Sequence, residues 1–172
     1  MMAAPTTRIS LRQAIAADFA AVLRLRNQLV KESRVRRPDS FRPLVLGATE
    51  ALFRSELSDP DGLTLIAECN GTAAGYAYVF TADHPGGDMN FPRRVTTIWE
   101  LVVDPSHQRR GVGRALLRAI EAHATRDGAE VITLNVDATN NGARAFYERE
   151  GLIAKQEHRQ KLLRHVRRIE SE

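Results

Sequence analysis

The sequence is poor in cysteine, lysine, aromatic residues and long apolar runs. Cys69 is the only cysteine among the 172 residues, so neither an intrachain disulfide nor a cysteine-based metal site can form. The five histidines lack the His-x-x-x-His spacing of a zinc site, and we expect no metal. No apolar run approaches the ~18 residues of a membrane span, and no signal peptide is evident. We therefore expect a soluble, cytoplasmic protein without a membrane partner.

Arginine supplies nearly all of the positive charge. All but three of the 25 basic residues are arginines, and the formal net charge is +4. Arginine binds anions through a two-pronged fork, so an anionic partner is one explanation, and a biased genome composition is another. No aromatic stacking pattern or recognition-helix motif accompanies the charge, even in the basic tail Arg159–Arg168. We therefore expect no nucleic-acid partner.

Strand and helix patterns alternate along the chain, and its length suits about one domain. Periodicity predicts helices beginning after Asp18, near Thr49, after Gly111 and near Asn140. Period-two patterns and turn signals predict up to seven strands. These are Thr7–Leu11, Leu63–Cys69, Ala74–Phe80, Val95–Val103, Val131–Val136, Leu152–Glu157 and Gln160–Val166. The pattern indicates a single α/β domain over residues 1–172.

The segment 100–117 combines a strand, a glycine-rich turn and a helix. Gly111 and Gly113 remove side chains where the backbone comes close to a neighbour, and a helix start presents free N–H groups with a positive dipole. Arg109 and Arg110 add two cations, so the turn suits a phosphate. It lacks the Gly-Lys-Ser/Thr of a P-loop and the third glycine of a dinucleotide turn. A bound pyrophosphate that is not transferred fits better, and a simple tight turn is the alternative.

Two motifs together resemble one known family. Residues 102–113, V-V-D-P-S-H-Q-R-R-G-V-G, resemble the acetyl-CoA signature Q/R-x-x-G-x-G/A of the GNAT family of N-acetyltransferases. Residues 140–152, N-N-G-A-R-A-F-Y-E-R-E-G-L, resemble its second element, N-x-x-A-x-x-x-Y-E-x-x-G-F. The resemblance implies an α/β (α+β) fold with a central mixed, twisted sheet of about six to seven strands and about four flanking helices. It also implies acetyl-CoA as co-substrate, a CoA-binding core at 95–152 and acceptor-side elements at 18–62 and 83–94.

The resemblance also implies roles for the residues of the first motif. The turn would wrap the CoA pyrophosphate through its backbone, with the two arginines screening the charge. The preceding strand would offer free backbone groups to the pantetheine arm, and one N–H would polarise the thioester carbonyl. The residues concerned are Gln108, Arg109, Arg110, Gly111, Val112 and Gly113 in the turn, and Leu101, Val102 and Val103 in the strand.

Glu100 is the candidate general base. Strand alternation predicts that it shares a face with Ile98 and Val102, and apolar surroundings favour the protonated form of a carboxylate. The family often has a glutamate here that acts through water. The alternatives are a partly exposed carboxylate paired with an arginine, or a different base, His84.

Tyr147 and Asn140 carry the roles of the second motif. The resemblance implies that Tyr147 is the acid for the departing thiolate, with a half-buried structural tyrosine as the alternative. Asn140 would bind the cofactor, cap its helix, or do both, with Asn141 as the alternative by one position. Ala143 would be small because the cofactor passes close by. A nucleophilic Cys69 is disfavoured, because it lies far from these elements in the sequence.

The sequence thus predicts an acetyl-CoA-dependent N-acetyltransferase in which a primary amine attacks directly. Arginines around the acceptor-side segments favour an amine that carries an anionic group, although nearby aspartates offset them. These arginines are Arg34, Arg36, Arg37, Arg42, Arg93 and Arg94. The alternatives are acetylation of a protein N-terminus or lysine, and a CoA-binding regulatory module without turnover. We expect a monomer or a homodimer.

Overall fold

The computed structural model of the protein describes residues 8–161, which form five strands and four α-helices. The strands are β1 (Ile9–Gln13), β2 (Gly62–Cys69), β3 (Thr72–His84), β4 (Arg93–Val103) and β5 (Val131–Leu134). The helices are α1 (Phe19–Arg36), α2 (Leu46–Ser58), α3 (Val112–Arg126) and α4 (Asn141–Arg149). Among these residues no helix combines the length and the apolar character needed to cross a membrane.

The strands form one mixed sheet in the order β1-β2-β3-β4-β5. The first four are antiparallel neighbours, and β5 runs parallel to β4. The β2–β3 hairpin turns at Asn70 and Gly71, whose φ angles are 51° and 80°. Positive φ at both positions is what a two-residue type I′ turn requires, so the predicted Asn-Gly hairpin is confirmed.

The sheet is covered on both faces. On one face, α3 packs through Leu116, Leu117 and Ile120 against a core that includes Val79 and Ile98. On the other face, α1 and α2 pack around Leu25, Phe53 and Tyr76. The predicted single-domain α/β fold with four helices is confirmed.

A β-bulge in β4 changes which side chains share a face. Tyr78 pairs with Glu100 and the next residue, Val79, pairs with Ile98, so Trp99 is an extra residue on β4. Ile98 therefore lies in the α3-side core, whereas Val102 belongs to the α1-side cluster. Glu100 contacts Arg26 of α1 and lies on the α1 side with Val102. The prediction that it also shares a face with Ile98 is wrong, because simple alternation ignores the bulge.

The predicted strand Leu152–Glu157 is also wrong. Gly151, at φ 90°, ends α4, and the Leu152 N–H donates to Tyr147 O at 2.9 Å. Leu152 packs on the core, but residues 153–161 are exposed and form no ladder. Their mostly polar sequence offers no apolar face to bury. The second predicted strand, Gln160–Val166, lies almost wholly outside the described residues, and the described sheet therefore has five strands rather than six or seven.

Candidate functional site

A wedge opens where β4 and β5 part. β5 pairs with β4 only from Val95 to Ile98, whereas β3 pairs with β4 as far as Val103. Beyond the bulge at Trp99, the edge of β4 that faces away from β3 has no strand partner within residues 8–161. Unpaired main-chain groups at such an edge are available to an extended ligand. The segment 101–103 is the part of β4 that lies beyond the bulge.

The glycine-rich turn follows directly from this free edge. Arg109 and Gly111 adopt left-handed φ angles of 63° and 90°, and Gly111 caps α3. The first hydrogen bond of the helix runs from Ala115 N to Gly111 O at 2.9 Å. The amides of residues 111–114 therefore have no partner within the helix and lie at its positive end. This arrangement suits a phosphate.

Helix α4 closes the other side of the wedge. The Asn140 side chain accepts a hydrogen bond from Ala143 N at 3.2 Å and so caps α4. A Cβ atom on Gly113 would lie 3.3 Å from Phe146 Cζ, so glycine permits the close approach of α3 and α4. Arg114 bonds Glu150 at 2.8 Å across the two helices. Paired in this way, the Glu150 carboxyl has a pKa below its usual range.

The free edge, the turn and α4 enclose a cleft of about 720 Å³. Most of the predicted cofactor residues line it, namely Leu101, Val102, Val103, Gln108, Arg109, Gly111, Gly113, Asn140, Ala143 and Tyr147. Arg110, Val112 and Asn141 are outside the lining. Val112 is buried in the core and Arg110 is exposed. One cleft thus collects two motifs that are about 30 residues apart in the sequence.

Helix α1 contributes cleft residues that the sequence analysis did not name individually, although they lie within the expected acceptor-side segment 18–62. Gln28, Leu29 and Glu32 line the cleft, and Gln28 Nε2 donates to Glu32 Oε1 at 2.7 Å. Their four-residue spacing places the two polar side chains on one helix face. That spacing was the available signal, but a polar pair on a helix usually indicates an exposed surface. The contribution of α1 depends on tertiary packing.

Glu100 does not line the cleft, although its neighbour Leu101 does. Its Oε2 accepts a hydrogen bond from Arg26 Nε at 2.8 Å, and its side chain is 19% exposed. Arg26 Nη2 also donates to Glu56 Oε1 at 2.5 Å. Burial raises the pKa of Glu56. The arginine-paired carboxylate weighed as an alternative is therefore present, and a role as base must operate beside Arg26.

Tyr147 lies on the cleft side of α4. Burial raises its pKa to about 12, so the phenol keeps its proton across the neutral range. No other residue between 8 and 161 hydrogen-bonds to its hydroxyl, whereas the Tyr78 hydroxyl donates to Asp59 at 2.6 Å. A protonated phenol in a cleft wall is able to donate a proton.

His84 and Cys69 lie away from the cleft. His84 ends β3, nine residues beyond Gly75, which pairs with Val103. It lines a second cavity of about 560 Å³ together with Arg93, Thr97 and Thr133. Cys69 is buried in the α3-side core. Neither residue lines the cleft.

Several arginines of the predicted acceptor rim already have partners. Arg94 bonds Asp83 at 3.0 Å and the main-chain oxygen of Asp127 at 2.8 Å. Arg37 lies 3.8 Å from Asp137, whose pKa is lowered first by its hydrogen bonds from Thr139 and then by the nearby arginines. Arg42 and Arg93 make no ion pair with the described residues. The basic rim is therefore partly neutralised.

Comparisons with known proteins agree with this geometry. The Acetyltransferase (GNAT) family matches residues 24–152. The uncharacterized N-acetyltransferase YhfO of Bacillus subtilis is 32% identical over 143 residues, which are 83% of this chain and 89% of that protein.

Solved structures share the fold. A tetramutant of the BH1408 protein from Bacillus halodurans superposes with a TM-score of 0.85 at 22% identity, covering 90% of this chain and 99% of that one. The aminoglycoside N-acetyltransferase AAC(6')-Iy, solved with CoA, has a TM-score of 0.68 at 20% identity, covering 96% and 99%. The chain therefore belongs to the Acetyltransferase (GNAT) family of acyltransferase enzymes.

Proposed function

We propose that the protein transfers an acetyl group from acetyl-CoA to a primary amine that attacks the thioester directly. The observation that carries the proposal is the junction of the free β4 edge with the glycine-rich turn in one cleft. An extended arm with a phosphate end fits an edge of free main-chain groups that leads into a helix N-terminus. Acetyl-CoA has this form.

The cleft residues support a division of roles. The amides of the turn 109–113 would hold the pyrophosphate, with Arg109 as the cationic side chain in the lining, whereas the Gln108 N–H already donates to Pro105 O at 3.3 Å. Arg110, which is exposed and outside the lining, would screen charge from a greater distance. The main chain of 101–103 would bind the pantetheine arm, and one of its N–H groups would polarise the thioester carbonyl. Asn140 and Ala143 would border the arm, since both line the cleft.

Glu100 and Tyr147 would move protons. Acetyl-CoA, when bound, supplies the acetyl group as a thioester. Glu100 would accept a proton from the ammonium through water, so that the amine nitrogen can form the new bond to carbon. The Tyr147 hydroxyl would give its proton to the sulfur as the carbon–sulfur bond breaks, and the nitrogen would lose its second proton as the amide forms, which restores the phenol. The protonated state of Tyr147 supports its role.

We propose a small amine that carries an anionic group as the acceptor. The second cavity supports this class, because its lining combines Arg93 with the hydroxyls of Thr97 and Thr133. Thr97 and Thr133 of this cavity pair with each other one position before Ile98 and Leu134, where the pairing of β4 and β5 ends. His84 pairs with Arg93, four residues further from the wedge. Acetylation of a protein N-terminus or lysine is the second candidate, and the open edges of both cavities would admit a peptide.

A panel of amines tests the proposal by CoA thiol release. It includes an amino acid, a phosphorylated amine, spermidine and a short peptide, each at low salt. We expect turnover with the anionic amines and an Arg93→Gln variant that loses this preference. Equal activity on spermidine would contradict the anionic acceptor. Turnover with the peptide alone would indicate a protein substrate, and CoA binding without turnover would indicate a regulatory module.

A further inference from the structure

A buried arginine on α1 bridges two carboxylates from different elements. Arg26 Nε donates to Glu100 of β4 at 2.8 Å, and its Nη2 donates to Glu56 of α2 at 2.5 Å. The side chains of Arg26 and Glu56 are only 3% and 2% exposed. Arg26 Nε also donates to the Tyr76 hydroxyl at 2.9 Å. One rigid guanidinium therefore connects α1, α2 and the bulged strand.

The charges of this cluster do not cancel. Two carboxylates and one guanidinium carry a net charge of −1 when all are ionised. Burial lowers the pKa of Arg26, but Glu100 and Glu56 outweigh it, and the arginine remains charged. Among the described residues, Tyr76 and Tyr78 of β3 also face the cluster, and the Tyr78 hydroxyl donates to Asp59. Burial raises the pKa of Tyr78. Arg26 is therefore the only cation in contact with Glu100 among the described residues.

Because Arg26 binds both Glu100 and Glu56, it stabilises the Glu100 carboxylate less than it would if it bound Glu100 alone. A cation bound to one carboxylate holds that group in its charged form and makes it a weak proton acceptor. A cation bound to two carboxylates stabilises each one less, because the second negative charge offsets part of the field at the first. The guanidinium fork also fixes the position of Glu100 Oε2, which a point charge would not do.

We propose that Arg26 is a positioning residue that holds Glu100 beside the wedge. The negative charge of Glu56 offsets part of the positive field of Arg26, so that Glu100 can still accept a proton. The inference rests on the proposed function, because it assumes that Glu100 is the base. It adds two residues from α1 and α2, neither of which lines the cleft. This arrangement explains why Glu56, whose side chain is only 2% exposed, lies opposite the buried Arg26.

Glu56→Gln tests the charge-sharing part. Glutamine keeps the shape of the side chain and an acceptor for Arg26 Nη2 but removes the negative charge. We expect the acidic limb of the kcat/KM profile to move to lower pH and kcat to fall about three- to tenfold, because a weaker base transfers protons more slowly. The KM for acetyl-CoA should stay unchanged. A profile that coincides with the wild type would overturn this part.

Arg26→Lys tests the positioning part. Lysine keeps the charge but cannot bridge two carboxylates with a planar fork, so kcat should fall at least about tenfold with little change in the KM for acetyl-CoA. An unchanged kcat would overturn the positioning role. A loss that appears as a raised KM would also count against it, because it would place Arg26 in binding.

Arg12 provides a matched control. From the edge strand β1 it bridges Asp18, which directly precedes α1, at 2.7 Å and Glu68 of β2 at 2.8 Å. Glu68→Gln should leave both kcat and the pH profile as in the wild type. Melting temperatures of all variants separate a folding defect from a kinetic one. If the wild-type protein releases no thiol with any amine, the proposed function fails, whereas an active wild type with an unshifted Glu56→Gln profile refutes only this inference.

Discussion

Ile98 and Leu134 are the last paired residues between β4 and β5. The next residue of β4 is the bulged Trp99, and beyond it the strand follows only β3. The pairing therefore stops at the point where the cleft begins. Because a bulge increases local twist, it separates the two strands and frees the main chain of 101–103. The site depends on this local failure of pairing.

Gly113→Ala should weaken acetyl-CoA binding. The new Cβ would meet the ring of Phe146, which lines the cleft, at 3.3 Å and displace it. We expect the Kd for acetyl-CoA to rise about three- to tenfold, which corresponds to about 1 kcal/mol. Isothermal titration calorimetry measures this directly. Gly47→Ala is the control, because a Cβ there meets nothing within 4 Å, and equal affinities in the two variants would refute the role of the Gly113–Phe146 contact.

Gly75→Ala should destabilise the sheet rather than the site alone. Its Cβ would lie 2.7 Å from Val102 O, a backbone atom, and 3.2 Å from Val112 Cγ1. Overpacking of this kind lowers the free energy of unfolding by about 1–3 kcal/mol. Urea denaturation should show the loss, while Gly87→Ala, which has open space around its Cβ, should change little. A Gly75→Ala protein as stable as the wild type would show that β3 and α3 adjust freely.

Tyr147→Phe should lower kcat and leave acetyl-CoA binding almost intact. The variant removes only a hydroxyl, and the pKa of about 12 keeps that hydroxyl protonated at neutral pH in the wild type. We expect kcat to fall by about tenfold or more, as for loss of a general acid. Steady-state kinetics at saturating acetyl-CoA provide the measurement. Tyr78→Phe removes a phenol that bonds Asp59 and should not reproduce the loss; a full rate in Tyr147→Phe would exclude the phenol as the acid.

Asp104→Asn should reduce stability in a pH-dependent manner. Hydrogen bonds from Ser106, together with Arg24, lower the pKa of Asp104 from 3.8 to about 2. A carboxyl with a lowered pKa in the folded state stabilises the protein above its unfolded pKa, and this contribution disappears as the pH falls through the folded value. The difference in unfolding free energy between wild type and variant should therefore be largest near neutral pH and shrink from 3.8 towards 2. Asp88→Asn, in an exposed loop, should show no such trend, and a pH-independent difference for Asp104→Asn would contradict the charge argument.

The sequence predicted the parts of the fold that local chemistry determines. The Asn70-Gly71 turn, the start of α3 at the glycine-rich turn and the Asn140 cap of α4 each follow from the conformational freedom or the hydrogen bonding of one or two residues. The resemblance of the two motifs to the GNAT family also pointed to most of the residues that line the cleft. The strand predicted after Gly151 is absent, because the apolar pair Leu152 and Ile153 is followed by mostly polar residues.

Tertiary packing determines what the sequence could not predict. The bulge at Trp99 leaves no local signal in V-T-T-I-W-E-L-V-V, yet it moves Ile98 to the opposite face from Glu100. Arg26 and Glu56 lie 30 residues apart on two helices, and only the folded chain brings them to Glu100. Both are charged residues of helices, and both are buried.

The appearance of the acetylated amine, followed by mass spectrometry, tests the central claim most directly. The wild-type protein and Glu100→Gln are incubated with acetyl-CoA and the best amine of the panel. We expect an acetylated amine from the wild type, formed in step with CoA release, and at least about a hundredfold slower formation by Glu100→Gln with acetyl-CoA binding retained. Wild-type CoA release that leaves the amine unmodified, or equal rates for the two proteins, would contradict it.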